Sequence, residues 1–230
     1  MLSLIKTWQC DIWPHALRLR NGTQVVMTYD RTPDETLETA LTTVLSARPA
    51  AMAWLDAIEF YLDTDALDFL VIPWQNGIKT PQELLTIAQR EASKRFLLPH
   101  WQVRFEDISW GQPALVACLQ QSCWQMLAKL SRQHQLRFQG VVTPFQLLLN
   151  RYHRHLPPEG IFAAVGPLRS RVACRQDSQW RDVHCLNLPQ QGQREQLQII
   201  GRLAGMPDSP RFVINTTDWQ IVTDEQEVAS

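Results

Sequence analysis

Glycine is scarce in this chain, nine among 230 residues, against an average usage near 7%. Loops that cradle phosphate draw on glycine, because a bare backbone can bring its N–H groups close to the oxygens. The shortage counts against several such loops. A basic field is also missing: 22 Lys and Arg stand against 23 Asp and Glu, a net charge of −1, so no nucleic-acid partner is expected. The five cysteines, Cys10, Cys118, Cys123, Cys174 and Cys185, are odd in number and show no C-x-x-C spacing. Zinc and redox motifs are thereby excluded, and buried, reduced thiols of a cytosolic protein are the expectation. No apolar run approaches membrane-spanning length, and the start MLSLIKTWQCDIW has no long apolar h-region. A soluble chain, or the soluble part of a longer membrane protein, is expected.

What is present is tryptophan, nine residues of it, a side chain used both in cores and at contact surfaces. The local patterns are mostly clear. His15–Arg20 and Thr23–Tyr29 read as strands joined by Asn21-Gly22, a strong hairpin signal. Thr32-Pro33-Asp34-Glu35 reads as a helix start, and Thr80-Pro81-Gln82-Glu83 repeats that grammar for a helix over 81–95. Ala57–Leu62 alternates as a strand, and Leu67–Ile72 is a continuous apolar run of the kind found in buried strands. Strands at 101–108 and 113–119 precede a helix over 119–134, with Cys123, Met126, Leu127 and Leu130 on one face. A strand at 136–142 and a helix from Thr143-Pro144 to Tyr152 follow. Strands at 161–165, 170–175 and 179–186, a helix near 190–204 and a strand at 211–215 complete the pattern.

This order predicts an α/β (α+β) chain of actin-like architecture: two ribonuclease-H-like subdomains with mixed sheets, the second truncated. The stretch Leu156-Pro157-Pro158-Glu159-Gly160 is the candidate boundary. It gives a first subdomain with its linking helices over 1–155, a smaller second one over 156–223, and a flexible tail at 224–230.

The stretch ALVACLQQSCWQMLAKLSRQHQLRFQGVVTPFQLLLNRY (114–152) runs strand, long helix, L-x-F-x-G-V-V-T-P, helix. With EASKRFLLPHWQVRFEDISW (91–110) before it, it resembles the actin-like cytoplasmic proteins of type IV pilus and type II secretion assembly, the PilM-like and GspL-like group. The resemblance covers about two-thirds of the chain. It implies a scaffold on the cytoplasmic face of the inner membrane that connects the assembly motor ATPase to membrane proteins of the platform. Some members of that group bind ATP, and others have lost the nucleotide-binding motifs.

Nucleotide chemistry on this architecture needs a glycine-rich hairpin in each half and acids to hold a hydrated metal. In the first half the turn is assigned to 18–23, where Arg18 and Arg20 stand in place of an acid before Asn21, Gly22 and Thr23. In the second half Val165-Gly166-Pro167-Leu168 replaces Asp-x-Gly-Gly, and Pro167 removes a backbone donor. Gly201 and Gly205 do not form a paired-glycine adenosine loop. Both hairpins read as degenerate phosphate loops, so no cofactor is expected.

Asp63, Asp65 and Asp68 lack the glycine and distal glutamate of a calcium loop and read as a turn with solvated carboxylates. His153 and His155 lie two apart on different helix faces, and His184 and Cys185 point to opposite sheet faces. No metal site and no nucleophilic serine or cysteine is localised. Arg169, Arg171 and Arg175 would line one strand face, as a solvated face or as a basic strip for an acidic partner segment. Trp74, Trp110 and Trp180 read as core packing or as interface anchors.

The leading expectation is therefore a scaffold without nucleotide hydrolysis, not an enzyme, cytoplasmic and peripheral to the inner membrane. Its expected partners are the motor ATPase and cytoplasmic segments of inner-membrane assembly proteins, with a homodimer as a further expected assembly. The alternative is a nucleotide-binding ATPase or kinase-like enzyme of the same superfold. A ribonuclease-H-like nucleic-acid protein is disfavoured by the charge.

Overall fold

The computed structural model describes residues 6–49, 56–152, 155–187 and 193–222. The expected tail at 224–230, His153 and part of the approach to the last helix lie outside these residues. Two compact units share the chain, one from 1–67 with 119–143, the other from 68–118 with 144–230. The units interleave in sequence, whereas the reading above divides the chain once, at 155/156. The difference falls mainly on 68–118, whose strands pair with one another in a sheet of their own.

In the first unit, β1 (Thr7–Ile12), β2 (Ala16–Asn21), β3 (Gln24–Asp30), β4 (Ala57–Leu62) and β8 (Arg137–Val142) form a sheet in the order β3-β2-β1-β4-β8. β1 is the central strand, antiparallel to β2 and parallel to β4. Sequence reasoning passed over it, because Thr7, Gln9 and Asp11 give it a polar face and an acid that strands disfavour. Its other face is apolar: Trp8, Cys10 and Ile12 join Leu17, Leu19, Ile58, Phe60 and Leu62 in the core. The β2–β3 hairpin turns at Gly22-Thr23, one residue beyond the Asn-Gly pair. Asn21 pairs with Gln24, and Gly22 takes the left-handed φ of +59° that a short hairpin demands.

Helix α1 (Leu37–Ser46) starts four residues later than the Thr32 signal suggests. Thr36 caps it, its Oγ1 accepting the Thr39 N–H. Glu35 is diverted from capping by accepting the Tyr29 hydroxyl at 2.8 Å, while Thr32–Glu35 closes as a turn. α1 and α3 (Gln121–Gln133) pack on each other, α1 against β2 and α3 against β8. A buried junction joins the end of α1 to the start of β4: Asp56 accepts the Trp8 indole N–H and the Arg48 guanidinium, both at 3.0 Å. Arg48 also donates to the His134 carbonyl.

The second unit holds two sheets. β5 (Leu67–Ile72), β6 (Trp101–Asp107) and β7 (Ala114–Gln120) form one in the order β5-β7-β6. β5, read as a buried strand, is apolar because both faces are covered, yet it lies at an edge. Helix α2 (Pro81–Phe96) buries Leu84, Ala88 and Ala92, the last two in one core cluster with Leu70, Ile72, Val103 and Val116. Its Thr80 cap forms as expected, accepting the Glu83 N–H while Glu83 reaches back to the Lys79 N–H. Helix α4 (Pro144–Tyr152) brings Phe145 edge-on to Phe69.

The other sheet contains β9 (Gly160–Val165), β10 (Ser170–Gln176), β11 (Gln179–Leu186), β12 (Arg211–Asn215) and β13 (Gln220–Val222), in the order β11-β10-β9-β12-β13. Its first four strands repeat the plan of the first sheet: an antiparallel meander whose first strand pairs in parallel with the fourth. α5 (Gln193–Leu203) covers one face through Leu197 and Ile200. The short antiparallel β13, not evident in the sequence, closes the edge where the first sheet has a full parallel strand. A Cβ at Gly160 would lie 2.6 Å from the Phe212 ring, so the boundary glycine is required by close packing. Two ribonuclease-H-like sheets, the second truncated, are therefore present as expected.

Four cysteines are buried as anticipated, and Cys185 is the exception, exposed on β11. Burial pushes the thiols of Cys123 and Cys174 up to about 11 and raises those of Cys10 and Cys118 as well. In the native protein at pH 8 a thiol reagent should modify Cys185 alone on the fast time scale, and all five after denaturation. Asp56→Ala should cost about 3 kcal/mol in urea unfolding, since it strands a buried guanidinium and an indole N–H together.

Candidate functional site

The shared plan of the two sheets decides which turns correspond. Gly166-Pro167 follows the first strand of the second sheet, β9, and its counterpart is the turn after β1, at Trp13-Pro14-His15. The assignment of the first phosphate loop to Arg18–Thr23 is therefore corrected: Asn21, Gly22 and Thr23 belong to the β2–β3 turn, one hairpin further on. Missing β1 in the sequence shifted the frame by a strand.

At the corrected position the acid is present. Asp11 lies near the end of β1, wholly buried, opposite Arg18 of β2. Its Oδ2 accepts Arg18 Nε at 2.7 Å and Arg20 Nε at 3.2 Å, and Arg20 also reaches Oδ1 at 3.2 Å. The Arg18 guanidinium lies 5.0 Å from the centre of the Trp13 ring, and Arg20 lies 4.8 Å from that of Tyr61. The Tyr61 hydroxyl accepts from Gln9, and burial, with Glu59 adding to it, raises its pKa. One carboxylate thus faces two cations in a closed aromatic setting. A carboxylate so engaged has its charge already met, and Trp13 and Pro14 offer neither glycine nor, at Pro14, a donor. These residues do not fit a hydrated metal with a nucleotide phosphate.

The second sheet departs further. Ala164 occupies the place of Asp11, with Arg171 directly opposite it as Arg18 is opposite Asp11. At the turn the Gly166 N–H is used internally, donating to the Arg169 carbonyl at 3.1 Å, and Pro167 has none to give.

The arginines after this turn do not form one open strip. Arg171 is buried, 2% exposed, Arg169 is half-buried, and Arg175 is tied inward. Arg175 donates to the Pro157 carbonyl and to Asp107, and stacks on Trp180, whose indole N–H donates to the same Asp107 at 2.7 Å. Trp180 is a core residue, 2% exposed and edge-on to Phe162. Desolvation lowers the Arg175 pKa against the pull of Asp107. Trp74 and Trp110 are different: their rings meet at 4.7 Å, and Trp110 is 76% exposed beside Ile108 at 47%.

The expected solvated acid turn is also corrected. Asp63 is buried, its N–H donating to the Ile12 carbonyl, and Asp68 is half-buried on β5, whereas Asp65 is exposed as expected. Among the described residues no group of three His, Cys, Asp or Glu is placed to hold a metal, and no helix is long and apolar enough to cross a membrane. The signal that could have located Asp11 is the alternation of TWQCDI followed by Trp-Pro, a strand and a turn in the right order before β2.

No protein-family model and no curated protein sequence matches the chain. Solved structures do. A Bacteroides thetaiotaomicron protein of actin-like ATPase fold and unknown function aligns over 97% of this chain and 85% of its own, at 11% identity and a TM-score of 0.53. The cytoplasmic domain of EpsL, an inner-membrane component of the Vibrio cholerae type II secretion system, aligns over 92% and 82%, at 10% identity and 0.53. The PilM-PilN type IV pilus biogenesis complex aligns over 86% and 66%, at 14% identity and 0.52. With the repeated strand order, these likenesses establish that the chain has the actin-like fold.

Proposed function

We propose that this chain is a cytoplasmic scaffold of a type IV pilus or type II secretion platform, peripheral to the inner membrane, which works by binding and does not hydrolyse nucleotide. It joins the motor ATPase to cytoplasmic segments of membrane assembly proteins. The observation that carries the reading is the Asp11–Arg18–Arg20 cluster. Where an actin-like ATPase needs an acid free for a metal, this acid is bound by two guanidinium groups, and the matching place in the second sheet is Ala164. The fold likeness to the EpsL cytoplasmic domain and to PilM-PilN supplies the setting. The competing reading, a nucleotide-binding enzyme of the same superfold, draws on one fact, that an acid does stand near the end of β1.

Thermal melting separates the two. A ligand present at a hundred times its Kd adds about 2.7 kcal/mol, which for a chain of this size raises Tm by roughly 5–10 °C. ATP with magnesium at millimolar concentration should leave Tm unchanged; a saturating rise accompanied by phosphate release would overturn the non-hydrolytic scaffold. Asp11→Ala should lower stability by about 3 kcal/mol, because it leaves two arginines without their shared counter-charge, and should leave the flat ATP response as it was. Purified cytoplasmic segments of inner-membrane pilus or secretion proteins, or the motor ATPase, should be retained by the immobilised chain. Retention of neither removes the platform assignment.

A further inference from the structure

The strand order β5-β7-β6 leaves β5 at an edge, with no strand on its outer side among the described residues. Such an edge presents unpaired N–H and C=O groups, and proteins normally shield it with charge, proline or a covering element. Here a groove runs along it. One cavity of about 420 Å³ lies between Leu70, Val71 and Pro73 on the strand side and Glu91, Lys94 and Arg95 of α2. A second, of about 510 Å³, continues from Gln75 along Gly77, Ile78 and the first half of α2. Gln75 lines both, so the two form one trough beside the edge and beyond its end.

The two sides of this trough differ in chemistry. On the α2 side three cations, Arg90, Lys94 and Arg95, stand beside one acid, Glu91, which Lys94 meets at 3.0 Å and Arg90 at 3.5 Å. Cations suit the last turn of a helix, and dipole complementarity accounts for that much. It does not account for the aromatic side. Pro73 and Gln75 line the trough, while Trp74 between them turns its ring onto Trp110. Trp110, which meets Trp74 just past the end of β5, is 76% exposed, with Ile108 at 47%. Isolated apolar side chains on a surface are ordinary, but a pair of indoles in tilted contact just past the end of an edge strand is not.

We infer that the β5 edge is a docking site for an extended partner segment that joins the sheet as a fourth strand. Residues on the two faces of such a strand alternate. One set would meet Lys94 and Arg95, the other Trp74 and Trp110, so the segment that fits alternates acidic with apolar residues. Main-chain pairing to β5 provides affinity, and the cation and indole faces fix register and sequence preference. The inference goes beyond the scaffold reading, which names a partner and not this surface.

The test is selection of a random 12-residue peptide library on the immobilised full chain, followed by fluorescence polarisation with the selected peptides. Peptides alternating Asp or Glu with apolar residues are expected. Their binding should fall at least tenfold with Lys94→Glu plus Arg95→Glu, and with Trp110→Ser, in variants whose melting temperatures match the parent. Replacing the acids of a selected peptide by lysine should restore binding to the charge-reversed variant. Failure to select peptides, or selection of peptides indifferent to both variants, overturns the site. So does sedimentation showing a dimer that Trp110→Ser dissociates, because a second copy of the chain then covers the surface. Loss of pilus or secretion partners in pull-down, with peptide binding intact, would instead strike the platform assignment alone.

Discussion

The buried carboxylate of Asp11 and the two arginines that hold it tie β1 to β2 at the centre of the first sheet. A carboxylate with no exposure is tolerable only when its charge is met, and here β2 meets it twice, through alternate side chains on the strand paired with β1. The same geometry that in a nucleotide-binding relative would aim an acid at a metal is used to fasten two strands of one sheet together. Trp13 and Tyr61 complete the arrangement by receiving the faces of the guanidinium groups. What stands at the end of β1 is a polar cluster in which one buried carboxylate is held by two half-buried arginines.

The second sheet reaches a similar end by a different route. With Ala164 in place of an acid, Arg171 stands opposite a methyl group, and the turn that follows consumes its own glycine donor. Asp107, at the end of β6, is drawn into Trp180 and Arg175, so residues that looked available for a partner serve internal packing. By contrast, the inserted sheet of β5, β6 and β7 has an edge, a trough and an indole pair of which Trp110 is exposed.

Most of the fold was legible because its signals are local. The Thr80-Pro81 cap and the apolar face of α3 each depend on a few neighbouring residues, and each is where the sequence suggests. What escaped detection depends on partners distant in sequence. β1 carries polar residues because Asp11 has arginines waiting on β2 and Gln9 a tyrosine on β4. Thr36 rather than Thr32 caps α1 because Glu35 is claimed by Tyr29. The burial of Arg171 and Trp180 follows from their place in a sheet whose faces the linear pattern could not rank.

The central claim is that Asp11 is spent on Arg18 and Arg20. A double-mutant cycle tests it most directly, comparing Asp11→Ala, Arg18→Ala with Arg20→Ala, and the triple variant by chemical denaturation. The account predicts a coupling energy of about 1–3 kcal/mol between the acid and the arginine pair. Coupling within about 0.3 kcal/mol of zero would mean that the carboxylate is energetically free, contradicting the account.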